Sequence, residues 1–233
     1  AAAPGQIPLA DKAKSFISQA NTSLPDRLQT YNFLHRHQPS EIFSAQFLND
    51  VDPRAPLAIL RKIYNAPAKA TALNRMLYLD WQITLADNDL RKVNHMGALA
   101  GVEISYPMLD DGLVDFSLQI PDEWKLKRSK LRHFYKESLR GWLPDETISK
   151  KKQGFGLPFG VWMQTHAPLR DLAYENLLSL KSRQYFNGEF IDKLIDLHRN
   201  GHAAYYGELI WILTVLEFWL AHYNKNDVVQ TAH

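Results

Sequence analysis

The segment of this chain best suited to chemistry is residues 150–160, whose sequence is KKKQGFGLPFG. It combines three lysines with three glycines beside apolar side chains. Glycines let the backbone approach a ligand closely, and a lysine ammonium neutralises phosphate as a point charge. The segment is therefore a candidate phosphate- or pyrophosphate-binding loop. The alternative interpretation is an exposed loop whose lysines are solvated.

A wider basic region contains this segment. Residues 125–152 carry ten Lys or Arg and three Asp or Glu, whereas the whole chain has a formal net charge of +2. One part of the molecule is thus predicted to favour anions. Nucleic acid is one such anion, but the region contains no known nucleic-acid-binding motif, and its aromatic residues also fit the core face of a helix. A solvated helix face explains the same charges.

Several chemistries are excluded by residue types and motifs that the sequence lacks. The chain has no cysteine, which excludes zinc–thiolate sites, iron–sulfur clusters and a thiol nucleophile within it. It contains neither GxGxxG nor GxxxxGK[ST], and no GxSxG motif of α/β-hydrolases. His198 and His202 have the i, i+4 spacing of two metal ligands, but Asn200 and Gly201 between them predict a helix end. We therefore predict no metal site.

Apolar residues recur at helical spacing along most of the chain, which predicts helices joined by short turns. Residues 70–85 form one predicted helix, and the polar residues 87–89 predict a break before a second helix that ends near Gly101. Asp110 is expected to cap a later helix, and residues 130–141 are expected to form a basic one.

The last predicted helix, residues 203–223, contains the longest apolar run. This run, from Leu209 to Leu216, ends at Glu217 and is much shorter than the roughly 20 residues that cross a bilayer. It predicts a buried helix and no membrane anchor. The first residues, AAAPG, lack the basic start and apolar stretch of a signal peptide, so we expect a cytoplasmic protein.

These patterns together predict an all-α fold. We expect one compact multi-helix domain over residues 1–223, centred on the helices near 70–100 and 203–223, and a polar tail over residues 224–233. An α/β arrangement is disfavoured because strand-like runs are short and do not alternate with helices.

An ordered set of motifs carries a resemblance to a known family. Residues 152–158, KQGFGLP, resemble the KQGFGxP segment of glutamine-dependent asparagine synthetases, and residues 90–96, LRKVNHM, resemble their L-x-K-V-D-R-M helix. PMLD at 107–110 and QIP at 119–121 are similar to the "PFLD" and "LP" motifs of the family. The basic helix that precedes Leu-Pro at 143–144 also resembles a helix of the family.

The resemblance implies an ATP-dependent ligase. Such an enzyme adenylates a carboxylate, typically that of aspartate, and ammonia from glutamine then displaces AMP. The glutaminase cysteine of the family, its SGG-x-DS pyrophosphate loop and its GDGGDE-type motif do not occur here. The chain thus resembles the helical C-terminal part of a synthetase domain of the ATP-pyrophosphatase type, which has an adenine-nucleotide α-hydrolase-like fold.

The missing portions define the expected cofactors and partners. The resemblance implies that ATP and Mg belong to the parent enzyme, so we expect the isolated chain to bind neither and to be inactive. Its expected partners are the glutaminase and α/β nucleotide-binding portions and an aspartate-like substrate. An apolar face left by the α/β portion would also allow self-association into a homo-oligomer.

Four residues are candidates for the site by resemblance. Lys152 falls on the family's lysine that approaches pyrophosphate and is the predicted catalytic residue. Gln153, Asp89 and Lys92 fall near positions that line the substrate or phosphate side. Asp89 is alternatively a helix N-cap, and Lys92 is alternatively a surface cation.

The chain also departs from the family pattern. The family's Asp-Arg pair is Asn94-His95 here, its Arg before x-P-x-L-D is Ser105, and its proline before KQ is Lys151. These departures leave open an acceptor other than free aspartate. They also leave open a related amide-forming enzyme, such as a lasso-peptide or β-lactam cyclase, beside the disfavoured helical nucleic-acid-binding module.

Overall fold

A computed structural model describes residues 9–30, 32, 34–128, 130–151, 154 and 156–230. These residues are mostly helical, and their only paired strands are β1 (Leu126–Lys127) and β2 (Lys130–Leu131). The two strands form an antiparallel hairpin in which Leu126 lies opposite Leu131. The predicted all-α fold class is confirmed.

The contacts of the chain divide it into two compact units. Unit 1 comprises Ala1–Leu28 and Ala55–Gln153, and unit 2 comprises Gln29–Arg54 and Gly154–His233. Each unit is described by itself below. The single domain expected over residues 1–223 stays a prediction.

Unit 2 contains four long or central helices and two short ones. They are α2 (Pro39–Ile42), α3 (Ala45–Asp50), α11 (Phe159–Thr165), α12 (Ala167–Ser182), α13 (Gly188–Asn200) and α14 (Ala203–Gln230). Helix α14 packs against α11, α12 and α13. Its apolar side chains Leu209, Ile210 and Leu213 are buried in a core with Met163, Leu177, Leu180 and Ile191. A 3₁₀ turn, Leu34–Arg36, precedes these helices.

Glu217 follows the long apolar run of α14 and lies inside this core. Its carboxylate is almost fully buried, and Arg183 donates two hydrogen bonds to it, from Nε at 2.6 Å and from Nη2 at 2.8 Å. Ser179 Oγ donates a third at 2.7 Å. Burial favours a raised pKa for Glu217, but the hydrogen bonds from Arg183 and Ser179 hold its pKa below the ordinary value. An apolar helix thus tolerates a charge because that charge is fully partnered.

Helix α14 differs from the expected helix at its end, because it continues to Gln230. No Gly or Pro in residues 224–230 stops it. Its part Ala203–Tyr223 has the length and composition of a membrane span, with a mean hydropathy of 1.2. Core helices can share these properties, and Leu209, Ile210 and Leu213 of α14 are buried in the core of unit 2. One helix of this kind does not indicate a membrane protein.

Unit 1 contains the remaining helices and the hairpin. The helices are α1 (Leu9–Asn21), α4 (Ala55–Asn65), α5 (Ala72–Asp80), α6 (Arg91–Ala100), α7 (Asp111–Gln119), α8 (Asp122–Lys125), α9 (His133–Ser138) and α10 (Asp145–Ser149). The expected cap of α7 is present, because Asp110 Oδ1 accepts a hydrogen bond from the Leu113 amide at 3.2 Å. The expected helix end at Gly101 is also present, and Gly101 has the left-handed φ of 65° that favours glycine. The described residues also form two 3₁₀ turns, Pro107–Leu109 in unit 1 and Asp26–Gln29 at the boundary with unit 2.

The predicted break at residues 87–89 is wrong. A π-helical stretch, Trp81–Leu90, joins α5 directly to α6, so the helix is continuous from Ala72 to Ala100. The alternative role of Asp89 as an N-cap is therefore wrong too, because Asp89 lies inside this helix. Ion pairs along the helix explain why a polar cluster does not end it: Arg91 pairs with Asp87, and Lys92 pairs with Asp89.

The basic helix expected over residues 130–141 is shorter in the structure. Residues 126–131 form the hairpin, and α9 begins only at His133. Arg132, just before α9, has a left-handed φ of 56°, which separates the hairpin from the helix. Local sequence periodicity does not reveal this change, since Leu126 and Leu131 fit either element.

Candidate functional site

The candidate phosphate loop lies only partly within the described residues. Lys152 and Gln153, two of the four predicted site residues, lie outside them, and their roles stay predictions. Lys150 and Lys151 are exposed. A Cβ added to Gly154 or Gly156 would meet no atom within 4 Å, so the described backbone of the loop borders open space at both glycines.

The third glycine of the segment has a different role from the expected one. A Cβ added to Gly160 would overlap the carbonyl oxygen of Ala203, and one added to Gly207 would overlap the Cα of Gly160. Helices α11 and α14 therefore cross in direct backbone contact at these two glycines. At Gly160 the close approach that glycine permits is to a neighbouring helix and not to a ligand.

A buried histidine, His198, also holds the Gly160 backbone where α11 and α14 cross. The Gly160 carbonyl can only accept a hydrogen bond, so the His198 Nε2 that lies 2.9 Å from it carries a proton and donates. In the neutral ring Nδ1 then accepts the Tyr174 hydroxyl proton, and the two atoms are 2.7 Å apart. His198 is fully buried. The chain from Tyr174 through His198 to Gly160 thus anchors the residues that follow the loop.

The other two predicted site residues are brought together. Lys92 Nζ donates a hydrogen bond to Asp89 Oδ1 at 3.0 Å, one turn apart on the continuous helix. Both side chains are exposed, by 63% for Lys92 and 47% for Asp89. Asp89 belongs to the π-helical stretch, and such stretches occur frequently at functional sites. The two charges are solvated and neutralise each other. An anionic ligand would therefore have to break this ion pair before it could bind Lys92.

Asn94 and Ser105, two of the positions that depart from the family pattern, lie on segments that a hydrogen bond connects. Tyr106 Oη, next to Ser105, donates a hydrogen bond to Asn94 Oδ1 at 2.8 Å. His95 Nδ1 lies 2.7 Å from the carbonyl oxygen of Arg91 in its own helix. An uncharged hydrogen bond thus connects α6 with the turn before Pro107.

The basic region is less uniform than its composition indicates. Arg140 donates to both carboxylate oxygens of Glu137 and also to Asp145. The hydrogen bond with Arg140 holds the pKa of Glu137 below its ordinary value. Lys125 differs from these pairs, since it is partly buried and its Nζ donates to the neutral Asn74 Oδ1 at 2.7 Å. Burial lowers the pKa of Lys125.

Lys125 borders a cavity in unit 1 that sequence reasoning missed. The cavity has a volume of about 550 Å³, and its walls come from α5, α7, the hairpin and α9. Residues from such separate parts of the chain give no common sequence pattern. The sequence draws attention to Lys125 only as a member of the basic region at residues 125–152.

The structure also bears on metal binding. Helix α13 ends at Asn200 and α14 begins at Ala203, so the predicted helix end between His198 and His202 is confirmed. His202 Nδ1 accepts a hydrogen bond from the Tyr205 amide. Among the described residues, no group of three or more His, Asp or Glu is placed to hold a metal ion.

Comparison with known proteins identifies the family to which this helical fold and these ordered motifs belong. The model of the asparagine synthase family matches residues 6–221, so the chain belongs to the asparagine synthase family. It is 22% identical over 216 residues to asparagine synthetase [glutamine-hydrolyzing] 1 of Bacillus subtilis (strain 168). That match covers 91% of this chain and 33% of the relative, so the chain spans about a third of the relative's length. No solved structure gave a significant match.

Proposed function

We propose that this chain is the helical portion of an asparagine synthase-type ligase that is completed by other portions of a longer protein. The family match over residues 6–221 is the observation that carries the proposal. In the parent enzyme an aspartate-like carboxylate is adenylated by ATP, and ammonia from glutamine forms the amide. The other portions are a glutaminase and an α/β nucleotide-binding part, and the parent acts in the cytoplasm.

ATP and Mg are assigned to those other portions. The sequence contains neither GxGxxG nor GxxxxGK[ST], and the described residues do not group three acidic or histidine ligands. The described part of this chain therefore does not fit an ATP–Mg site of its own. The nucleotide would supply the adenylyl group that activates the carboxylate, and this chain would contribute positioning and charge.

Lys152 is the residue proposed to act on the reaction. Negative charge builds on pyrophosphate as it leaves the α-phosphorus, so a nearby ammonium would stabilise the transition state more than the ground state. Gln153, Asp89 and Lys92 are proposed to line the substrate or phosphate side. For Lys92 to bind phosphate, its hydrogen bond to Asp89 must give way.

A matched pair of lysines tests this assignment in the intact parent protein. Lys152→Ala should lower kcat for pyrophosphate release by roughly a hundredfold or more, while glutamine hydrolysis persists. Lys150→Ala, in the same basic run, should change kcat little because Lys150 is exposed. Equal small losses in the two variants would remove Lys152 from the mechanism. The chain of 233 residues alone should release no pyrophosphate.

An acceptor other than aspartate is the second candidate. It is favoured by Asn94, His95 and Ser105, which replace charged family residues, and by the uncharged hydrogen bond from Tyr106 to Asn94. Fewer charges at these segments suit an acceptor with fewer charges than aspartate. Pyrophosphate release by the parent protein with a panel of carboxylates tests it, since aspartate as the best acceptor would reject this candidate.

A nucleic-acid partner is not part of the proposal. Arg140 is already paired with Glu137 and Asp145, and Lys125 faces a cavity rather than an open surface. If DNA or RNA did bind, counterion release would make the affinity fall steeply with salt. Submicromolar binding of DNA or RNA that weakens steeply with salt would contradict this exclusion.

Self-association of the chain is proposed from its exposed apolar residues and is tested by sedimentation.

A further inference from the structure

The cavity of unit 1 is a candidate ligand site that is separate from the residues of the proposed ligase reaction. Its volume of about 550 Å³ falls in the range of roughly 300–1,000 Å³ typical of small-molecule pockets. One wall is a row of side chains on the continuous helix, and the opposite wall comes from α7, the hairpin and α9. The apolar side chains of the cavity include Leu77 on the continuous helix and Leu118 on α7.

The charge on the lining has a single sign. Lys125 and Arg132 both line the cavity, and the described residues of the lining include no Asp or Glu. Lys125 Nζ is held by Asn74 Oδ1, which is a neutral acceptor, and no carboxylate oxygen of the described residues forms a salt bridge with it. Burial lowers the pKa of Lys125 and outweighs the opposing attraction of Asp122. The ammonium is therefore desolvated without a directly bonded anion.

An occupant must satisfy both properties of the lining. An apolar body would remove the leucine and aromatic side chains from water, which favours binding. A single anionic end would accept a charge-assisted hydrogen bond from Lys125 and offset its desolvation. A highly charged ligand such as a nucleotide does not fit, because most of the wall would leave its polar atoms without partners.

We propose that this cavity binds small amphipathic monocarboxylates, with the apolar chain against Leu77 and Leu118 and the carboxylate on Lys125. The proposal does not rest on the ligase function. Every residue that the proposal invokes lies in unit 1.

Calorimetry on the 233-residue chain with decanoate as the probe tests the proposal. Decanoate should bind saturably, and Lys125→Met should weaken it roughly tenfold or more because a hydrogen bond to a charged group is lost while side-chain length is kept. Lys127→Met is the matched control, since Lys127 lies two residues after Lys125, is exposed on the hairpin and does not line the cavity. That control should leave the affinity for decanoate unchanged.

Decanol has the same apolar chain as decanoate but no charge. It therefore separates the contribution of the apolar wall to binding from that of Lys125. It should bind wild type and Lys125→Met alike. Leu118→Trp provides a second variant that fills the cavity from an exposed position and should abolish binding of both probes. Absence of saturable decanoate binding by wild type would overturn the proposal. Equal losses in Lys125→Met and Lys127→Met, or unchanged binding in Leu118→Trp, would overturn it as well.

Discussion

The two units differ in where their apolar side chains lie. The continuous buried core, from Ile42 through Met163 and Leu177 to Leu213, belongs entirely to unit 2. Unit 1 buries few apolar side chains, chiefly Tyr64, Leu79 and Ile148, and exposes others strongly, with Leu99 at 81% and Trp142 at 86%. Apolar burial is the main favourable term in folding, so unit 2 holds the larger share of it.

The polar interactions follow the same division. Unit 2 buries His198 and Glu217 and satisfies both with hydrogen bonds. Unit 1 also buries one polar side chain, His133, but several of its ion pairs, such as Asp89 with Lys92, are exposed. Most of the family's motifs nevertheless fall in unit 1, including residues 90–96, 107–110 and 119–121. Residues proposed for chemistry and residues that supply stability are therefore largely different sets, as expected where functional segments are less stable than cores.

The largest loss of stability should follow a change at the crossing of α11 and α14. Gly207→Ala places a Cβ onto the Gly160 Cα, so the two helices must separate, at a cost of about 3 kcal/mol or more. Urea unfolding monitored by circular dichroism measures it. Gly156→Ala is the control, with a change near zero, because nothing lies within 4 Å of the added Cβ. Similar midpoints for the two variants would show that the crossing of α11 and α14 does not require glycine at position 207.

The buried ion pair should give unit 2 a pH-dependent stability. The pKa of Glu217 is lower in the folded state than its ordinary 4.5, so its contribution is present above that value and disappears as the pH falls through the folded pKa. Arg183→Met leaves the carboxylate without its cation and should cost about 2 to 3 kcal/mol at neutral pH, because Arg183 keeps some solvent contact.

Urea midpoints from pH 7 down to pH 3 measure this effect. In Glu217→Gln the acid-dependent part of the decline should be smaller than in wild type. The same decline in both proteins would show that other carboxyl groups cause the acid sensitivity.

An intermediate effect is expected at the buried histidine. Tyr174→Phe removes the hydroxyl that His198 Nδ1 binds and leaves a buried ring nitrogen without its partner, at a cost of roughly 1 to 3 kcal/mol. Tyr185→Phe is the control, since Tyr185 is partly exposed and meets the Phe47 ring. Equal free energies of unfolding for the two variants would mean that the hydrogen bond between Tyr174 and His198 does not contribute to stability.

The smallest effect is expected in unit 1. A double-mutant cycle of Asp89→Asn and Lys92→Met should give a coupling energy of less than about 0.5 kcal/mol, because both partners are exposed and solvent screens their charges. Thermal unfolding of the four proteins gives this value. A coupling above about 1 kcal/mol would place a strong ion pair in unit 1 and weaken the comparison.

Much of the fold could be predicted from the sequence because helices leave a periodic pattern. The spacing of apolar residues predicted an all-α chain, Asp110 predicted a cap, and Gly101 and Gly201 predicted helix ends. The predicted break at residues 87–89 was wrong because a polar cluster has the same composition whether it ends a helix or forms ion pairs along a continuous helix. The hairpin was missed because it depends on the left-handed φ of Arg128 and Arg132, which are not glycines.

The site was predictable to a smaller extent. The motif order indicated the family, but Lys152 and Gln153 owe their roles to that resemblance alone. The meeting of Asp89 and Lys92 follows from their i, i+3 spacing once the helix is known to be continuous. The cavity was not predictable, because Asn74 and Lys125 meet through tertiary packing across 51 positions of sequence.

The buried chain from Tyr174 to Gly160 also provides a natural spectroscopic reporter. The hydroxyl proton of Tyr174 and the Nε2 proton of His198 are enclosed by the core of unit 2, so solvent reaches them only when α11, α12 and α13 open. Both protons should therefore exchange slowly with water and give resolved magnetic resonance signals. Their exchange rates would report each opening of the helix junction that follows the lysine-rich loop, without any label attached to the chain.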